Sequence, residues 1–118
     1  MRRLILLPLL AALPAAATAA EAPWIGDWGV SAESCAAPML SDDRPTSFAA
    51  EGLYGHEWSC DLETLDEVMP GRAWKAGLSC LDMGETLALT ELWVLTEPDA
   101  LTVIDDMGGT MRLTRCGG

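Results

Sequence analysis

Apolar and polar residues alternate in short runs along most of the chain after residue 20. An alternation with a period of two is typical of strands with one buried face, and turn-forming residues separate these runs at near-regular spacing. Residues 31–38 read as a turn, or as one helical turn capped by Ser31. Seven or eight short strands in succession predict an all-β fold, either a barrel or a sandwich. Because nearly every strand is expected to pair with its sequence neighbour, a small up-and-down antiparallel barrel is the simplest closure. The predicted strands are residues 24–30, 46–50, 57–63, 74–80, 85–95, 101–105 and 111–115.

The stretch HEWSCDLETLDEVMPGRAWKAGLSC, residues 56–80, carries the clearest pattern. Two alternating runs flank a Pro-Gly pair, which predicts an antiparallel hairpin with an acidic tip. Pairing that is symmetric about Pro70 places Cys60 opposite Cys80, within reach of a disulfide bond. The spacing of apolar residues before Pro70 also fits a helix, so residues 64–69 are left open between strand and helix.

Four cysteines are present, Cys35, Cys60, Cys80 and Cys116. An even number in a small exported domain predicts two disulfide bonds, for which three pairings exist. The hairpin favours Cys60–Cys80 and leaves Cys35–Cys116 as the second bond. Counting along the predicted strands places Cys35 and Cys116 toward opposite ends of the barrel, so this second bond is preferred rather than fixed. No Cys-x-x-Cys spacing occurs and His56 is the only histidine, so neither a metal site nor a cofactor is predicted.

The first twenty residues, MRRLILLPLLAALPAAATAA, have the layout of a secretory signal peptide. Two arginines precede an apolar run of about a dozen residues, and small residues follow it. The pattern predicts cleavage near Ala19 or Ala20, which leaves residues 21–118 as a single β-barrel domain in the periplasm or outside the cell. Two prolines interrupt the apolar run and no second long run exists, so stable membrane insertion is not expected.

The charge of the chain is strongly negative. Removal of residues 1–20 leaves five Lys and Arg against 18 Asp and Glu, a formal charge of −13. Such a surface repels phosphate backbones and anionic lipids, which argues against nucleic-acid binding, and it attracts basic proteins. The alternative is that acidity only keeps a small exported domain soluble.

Gly26-x-Trp28 on the first strand, a series of short antiparallel strands and an arginine on the last strand, Arg112 or Arg115, resemble the calycin group of barrels. The resemblance implies that Trp28 packs across the bottom of the barrel. It also implies that the late arginine stacks on the face of this ring as a cation on an aromatic system.

Two segments resemble a more specific family, the Inh-type bacterial metalloprotease inhibitors. IGDWGVSAESC (25–35) is similar to their opening, and LWVLTEPDALTVIDDMGGTMRL (92–113) is similar to their closing hairpins. Those inhibitors insert an N-terminal trunk into the protease cleft, whereas only about four residues precede Trp24 after the predicted cleavage. The overall layout is most similar to uncharacterised secreted bacterial proteins with Gly-x-Trp and four cysteines.

Five tryptophans are many for a domain of this size, and packing into the core is the default expectation for such large side chains. Trp24 lies outside the Gly-x-Trp alternation and near the N-terminus, so it is predicted to be exposed and to contact a partner. A histidine-based hydrolase would have to use His56 beside a nucleophile such as Ser47 or Ser59.

These observations favour a non-enzymatic exported binding module, an inhibitor or scavenger of a basic secreted protein such as a protease. Two alternatives stay open. The first is a barrel that binds a small apolar ligand in its interior, because barrels of eight strands are just wide enough either to be packed or to hold one ligand. The second is a weak hydrolase that uses His56.

Overall fold

The computed structural model describes residues 21–117, so the predicted signal peptide lies outside the described residues. Eight antiparallel strands form a closed barrel in which each strand pairs with its sequence neighbour and β8 pairs with β1. One short helix, α1, follows β1. This architecture confirms the predicted up-and-down barrel. The elements are β1 (Gly26–Gly29), α1 (Ala32–Cys35), β2 (Thr46–Ala49), β3 (Gly52–Gly55), β4 (Trp58–Met69), β5 (Ala73–Asp82), β6 (Glu85–Glu97), β7 (Ala100–Asp105) and β8 (Thr110–Arg115).

Two strands differ from the sequence pattern. β4 continues as a strand to Met69, which excludes the helical alternative for residues 64–69, because this segment pairs with β5 through two register shifts. β3 is absent from the predicted strands because half of its residues are glycines, which disfavour strands in propensity scales. A Cβ atom at Gly52 would overlap the carbonyl oxygen of Cys60, so glycine is required where β3 approaches β4.

Both predicted disulfides are present. Cys60 on β4 lies directly opposite Cys80 on β5, as the symmetric hairpin requires. Cys35 at the end of α1 is bonded to Cys116, which follows β8. The backbone N–H of Cys116 donates to the carbonyl of Asp27 on β1. After β8 the chain therefore continues beside β1, close to α1, which follows β1. This path brings together two cysteines that counting along isolated strands had placed apart.

Aromatic side chains fill one half of the barrel. Trp28, Trp74, Trp93 and Phe48 are all buried. The prediction that Trp24 is exposed is wrong, because its side chain is only 4% exposed and its ring lies 5.1 Å from that of Trp93. The segment before β1 folds back under the barrel and carries Trp24 into the core.

Arg115 and Trp28 close the end of the barrel that the aromatic side chains fill. This end is called the floor. The Arg115 guanidinium carbon lies 4.3 Å from the centroid of the Trp28 ring. The same group donates to the carbonyl oxygens of Pro23 at 2.6 Å and Ile25 at 3.0 Å. Of the two arginines left open by the sequence, Arg115 therefore stacks on the tryptophan, and Arg112 is exposed. These bonds fasten the N-terminal segment to the floor.

Candidate functional site

The end of the barrel opposite the floor is open. A pocket of about 250 Å³ lies there between the ends of β3, β4, β5 and β6. It is termed the cup, and most of its wall is apolar. The residues that line it are Leu53, Trp58, Cys60, Leu78, Cys80, Asp82, Leu87, Leu89 and Glu91.

The length of β4, β5 and β6 produces the cup. These strands have 12, 10 and 13 residues, whereas the other strands have four or six. Their inward residues are in register, with Cys80 opposite both Cys60 and Leu87, and with Leu78 opposite Leu89. Leu87 is nevertheless 46% exposed, because within residues 21–117 the neighbouring strand β7 pairs with β6 only from Glu91 onward. The cup thus presents an apolar surface that the barrel itself does not fill.

Trp58 forms the rim of the cup on the β3 side. Its ring is half-buried and lies over Gly55, the residue paired with it on β3. A Cβ atom at Gly55 would overlap the indole ring, so this glycine provides the space that the ring occupies. Gly55 and Trp58 therefore shape the opening together.

Glu91 lies at the boundary between the open and the packed halves of the barrel. It is paired with Ala76, and the next inward pair is Trp74 with Trp93. The indole N–H of Trp93 donates to Oε1 of Glu91 at 3.0 Å. Because rings fill the barrel below this level and the cup opens above it, the Glu91 carboxylate forms part of the bottom of the cup.

The environment of Glu91 disfavours its charged form. Burial raises the pKa of the Glu91 carboxyl above its ordinary value, the hydrogen bond from Trp93 lowers it, and the carboxylates of Asp105 and Asp106 raise it again. A second hollow of about 150 Å³ shares Glu91 with the cup and includes Asp105. The side chain is thus a partly buried acid in a negative surrounding, which a cation would stabilise.

The charged residues that line the cup are acidic. Among residues 21–117, the residues that line the cup include the carboxylates of Asp82 and Glu91 and no lysine or arginine. An apolar wall with a carboxylate at the bottom suits a group that has an apolar stem and a positively charged end, such as the side chain of lysine or arginine. An anion would meet repulsion at the same place.

Replacement of Glu91 by glutamine is expected to remove a pH dependence of stability. Because the pKa of Glu91 is raised in the folded state, the folded protein keeps this proton at pH values where the unfolded chain has released it. The free energy of unfolding therefore falls as the pH rises from the ordinary glutamate pKa, about 4.3, through the raised value. Above that value the wild type retains the whole penalty.

Urea titrations of the wild type and of Glu91→Gln across this pH range measure the effect, since carboxylates that do not interact with Glu91 cancel in the difference. Glu97→Gln is the control, because Glu97 is exposed and lies at the other end of β6. A stability difference between the wild type and Glu91→Gln that is flat, or that grows in favour of the wild type as the pH rises, would contradict the assignment.

His56 lies in the turn between β3 and β4 and pairs with carboxylates. Its Nδ1 lies 2.6 Å from Oδ1 of Asp42, and its Nε2 lies 3.9 Å from Oε1 of Glu57. The hydroxyl of Ser47, one candidate nucleophile, donates to Oδ1 of Asp27 at 2.7 Å. Among residues 21–117, the contacts of the His56 ring are with these carboxylates and include neither Ser47 nor Ser59.

A hollow of about 380 Å³ beside the floor is larger than the cup. Arg72 and Arg115 line it together with Glu97. The Arg115 guanidinium already donates to the carbonyls of the N-terminal segment and lies 3.5 Å from Oδ1 of Asp99. Because these contacts already occupy the Arg115 guanidinium, the cup is the better candidate site.

The sequence pattern did not identify the cup. The alternation over residues 85–95 predicts that Leu87, Leu89, Glu91 and Trp93 share one face of a strand, but it does not distinguish a packed interior from an open one. The signal that was available is Glu91 itself, because an acid in an inward-facing row of apolar residues is costly to bury unless it has a role. The predicted disulfide residues, in contrast, do contribute to the cup wall through Cys60 and Cys80.

Comparison with known protein families, with curated proteins and with solved structures finds no match for this chain. The resemblance of residues 25–35 and 92–113 to Inh-type inhibitors therefore stays a prediction. No helix within residues 21–117 is long and apolar enough to cross a membrane. The chemistry of the cup is thus the basis on which a function is proposed.

Proposed function

We propose that this chain is a non-enzymatic exported binding module, and that the cup receives a positively charged side chain of a basic exported protein. The observation that carries the proposal is Glu91, a partly buried carboxylate at the bottom of an open apolar pocket. A lysine or arginine side chain would contact Leu87 and Leu89 with its methylene groups and pair with Glu91 at its end. Occupation of the cup would inhibit or sequester that partner, for example a protease.

The compartment and the total charge agree with this proposal. Two disulfides in a small barrel are compatible with an oxidising, extracytoplasmic location. After residue 20, the 18 acidic residues outnumber the five basic residues. This negative charge would accelerate the encounter with a basic protein. Charge alone supports only attraction, and the cup adds a place where one cation is held.

A second candidate function is the binding of a small apolar amine. The leucine-lined wall of the cup favours it, since such a ligand needs the same apolar contacts and the same carboxylate. The volume of about 250 Å³ lies below the range of roughly 300–1,000 Å³ typical of small-molecule sites. A single side chain fits this volume better than a larger ligand, so the protein partner is the leading proposal.

Titration with N-acetyl-lysine methylamide, followed by NMR of the backbone amides, tests the cup directly. We expect shifts at Leu87, Leu89 and Glu91, and at least a tenfold weaker affinity for Glu91→Gln, because a hydrogen bond to a charged group contributes about 1.5–3 kcal/mol. The uncharged analogue N-acetyl-norleucine methylamide should bind more weakly by a similar factor. Glu97→Gln, at the other end of β6, should bind as the wild type does.

Equal binding of the charged and the uncharged analogue would overturn the role of Glu91. Shifts confined to residues near the floor, or an equal loss of affinity in Glu91→Gln and Glu97→Gln, would show that the charge of the whole surface and not the cup attracts the probe. The first result would remove the requirement for a cation, and either of the other two would remove the cup as the binding site.

A further inference from the structure

The upper part of β6 is an open sheet edge beside the cup. β6 pairs with β5 along ten residues from Glu85 to Val94, whereas its pairing with β7 begins only at Glu91, opposite Asp105. Among residues 21–117, the segment 85–90 therefore has a strand neighbour on one side only. The neighbouring strand β7 ends at Asp105, opposite Glu91, where the chain turns to β8.

The direction of the free backbone groups follows from one hydrogen bond. The N–H of Leu95 donates to the carbonyl of Arg72 on the β5 side. N–H and C=O groups alternate in direction along a strand, and the β5–β6 pairing has no register shift, so odd-numbered residues of β6 bond to β5. The N–H and C=O groups of Thr86, Ala88 and Thr90 consequently point to the open side.

The open edge of β6 lacks the features that usually prevent another strand from pairing with an exposed edge. Exposed edges in natural proteins carry charges, prolines or bulges that prevent another strand from pairing. Another open stretch within the described residues, 63–69 of β4, has acidic residues at Glu63, Asp66 and Glu67 and two register shifts. From Thr86 to Thr90 the edge of β6 has no charge, no proline and no bulge.

The charges around this edge select its occupant. Acidic residues stand at both of its ends, Glu85 at one and Glu91 with Asp105 at the other. A second copy of this chain would bring the same acids against them and would add another excess of negative charge, so pairing between copies is disfavoured. An extended segment with basic residues would meet attraction at both ends.

We propose that an extended basic segment of the partner adds as a strand to the open edge of β6, with alternate side chains entering the cup beside Leu87 and Leu89. This proposal rests on the proposed function and specifies how the partner binds. Backbone hydrogen bonds to Thr86, Ala88 and Thr90 provide affinity, and the cup provides selectivity for lysine or arginine, as in other cases of strand addition.

Amide hydrogen exchange with a synthetic peptide of alternating lysine and valine, acetylated and amidated, tests the proposal on the unmodified protein. We expect exchange of the Thr86, Ala88 and Thr90 amides to slow at least tenfold in the presence of peptide. The amides of Leu87 and Leu89 already bond to β5, so their exchange should change much less.

Two peptides that are N-methylated at alternate positions provide a matched control. Because the backbone N–H groups of a bound strand alternate in direction, methyl groups on one set should weaken binding at least tenfold and on the other set should not. Ala88→Pro removes the backbone N–H that would donate to an added strand. It should weaken the affinity for the peptide by a similar factor and leave the affinity for N-acetyl-lysine methylamide unchanged.

The outcomes separate this proposal from the proposed function. Peptide-induced shifts in the cup without slower exchange at Thr86, Ala88 and Thr90 would overturn strand addition and leave the cup as the binding site. Absence of binding by both the peptide and N-acetyl-lysine methylamide would overturn both. Slower exchange of the same amides at rising protein concentration without peptide would assign the edge to a second copy and overturn the basic occupant.

Discussion

Replacement of Trp28 by alanine is expected to lower the free energy of unfolding by about 3–5 kcal/mol, a large part of the roughly 5–15 kcal/mol typical of a domain. The side chain is fully buried, its N–H donates to the carbonyl of Trp24 at 3.0 Å, and the Arg115 guanidinium lies on its ring. The truncation removes these contacts together and leaves a cavity under a charged group. Chemical denaturation followed by far-UV circular dichroism measures the loss.

Trp58→Ala is the matched control, since it removes the same side chain from the rim of the cup, where the ring is half-buried. Its loss of stability should be less than half that of Trp28→Ala. A loss of similar size in both variants would contradict the division of the barrel into a packed half and an open half.

Removal of the Cys35–Cys116 disulfide by substitution of both residues with alanine is expected to cost more than removal of Cys60–Cys80. The sequence separations are 81 and 20 residues. The entropy of closing such loops in the unfolded chain corresponds to about 4.5 kcal/mol for the longer and about 3.3 kcal/mol for the shorter. The Cys35–Cys116 bond also holds α1 against β1 and the chain end next to Arg115.

Urea denaturation of the two double variants under non-reducing conditions, with the wild type as reference, tests this order. A larger loss for Cys60→Ala with Cys80→Ala would contradict it, and would show that packing of the sulfur atoms in the cup wall outweighs loop closure. Measurement of peptide and amine binding by the second double variant would then show whether the disulfide also shapes the cup.

The two ends of the barrel have different tasks in this proposal. At the floor, Arg115 donates to backbone carbonyls and covers Trp28, so a charged residue serves stability. At the cup, Glu91 and Asp82 lie on an apolar surface that is open to solvent, which contributes little to folding. Stability at one end permits an unfilled site at the other.

Several features could be predicted from the sequence because they depend on local rules. Alternation along each strand determined which residues face inward, and the symmetry of residues 56–80 about Pro70 placed Cys60 opposite Cys80. These inferences need only the geometry of one strand or one hairpin. The even number of cysteines predicted two disulfide bonds, and the resemblance of Gly26-x-Trp28 and a late arginine to the calycin barrels implied the contact between Arg115 and Trp28.

The remaining features depend on how eight strands of unequal length close into one barrel. Only closure places the segment before β1 under the floor, where it buries Trp24, and only closure leaves the inner face of β6 uncovered at Leu87. The period of two assigns a side chain to the inside of the barrel, but whether that inside is packed or open depends on contacts between strands distant in sequence. The sequence by itself therefore determined the barrel, its faces and the Cys60–Cys80 disulfide, and the tertiary structure alone decided that Cys35 meets Cys116 and that Glu91 lies at the bottom of an open cup.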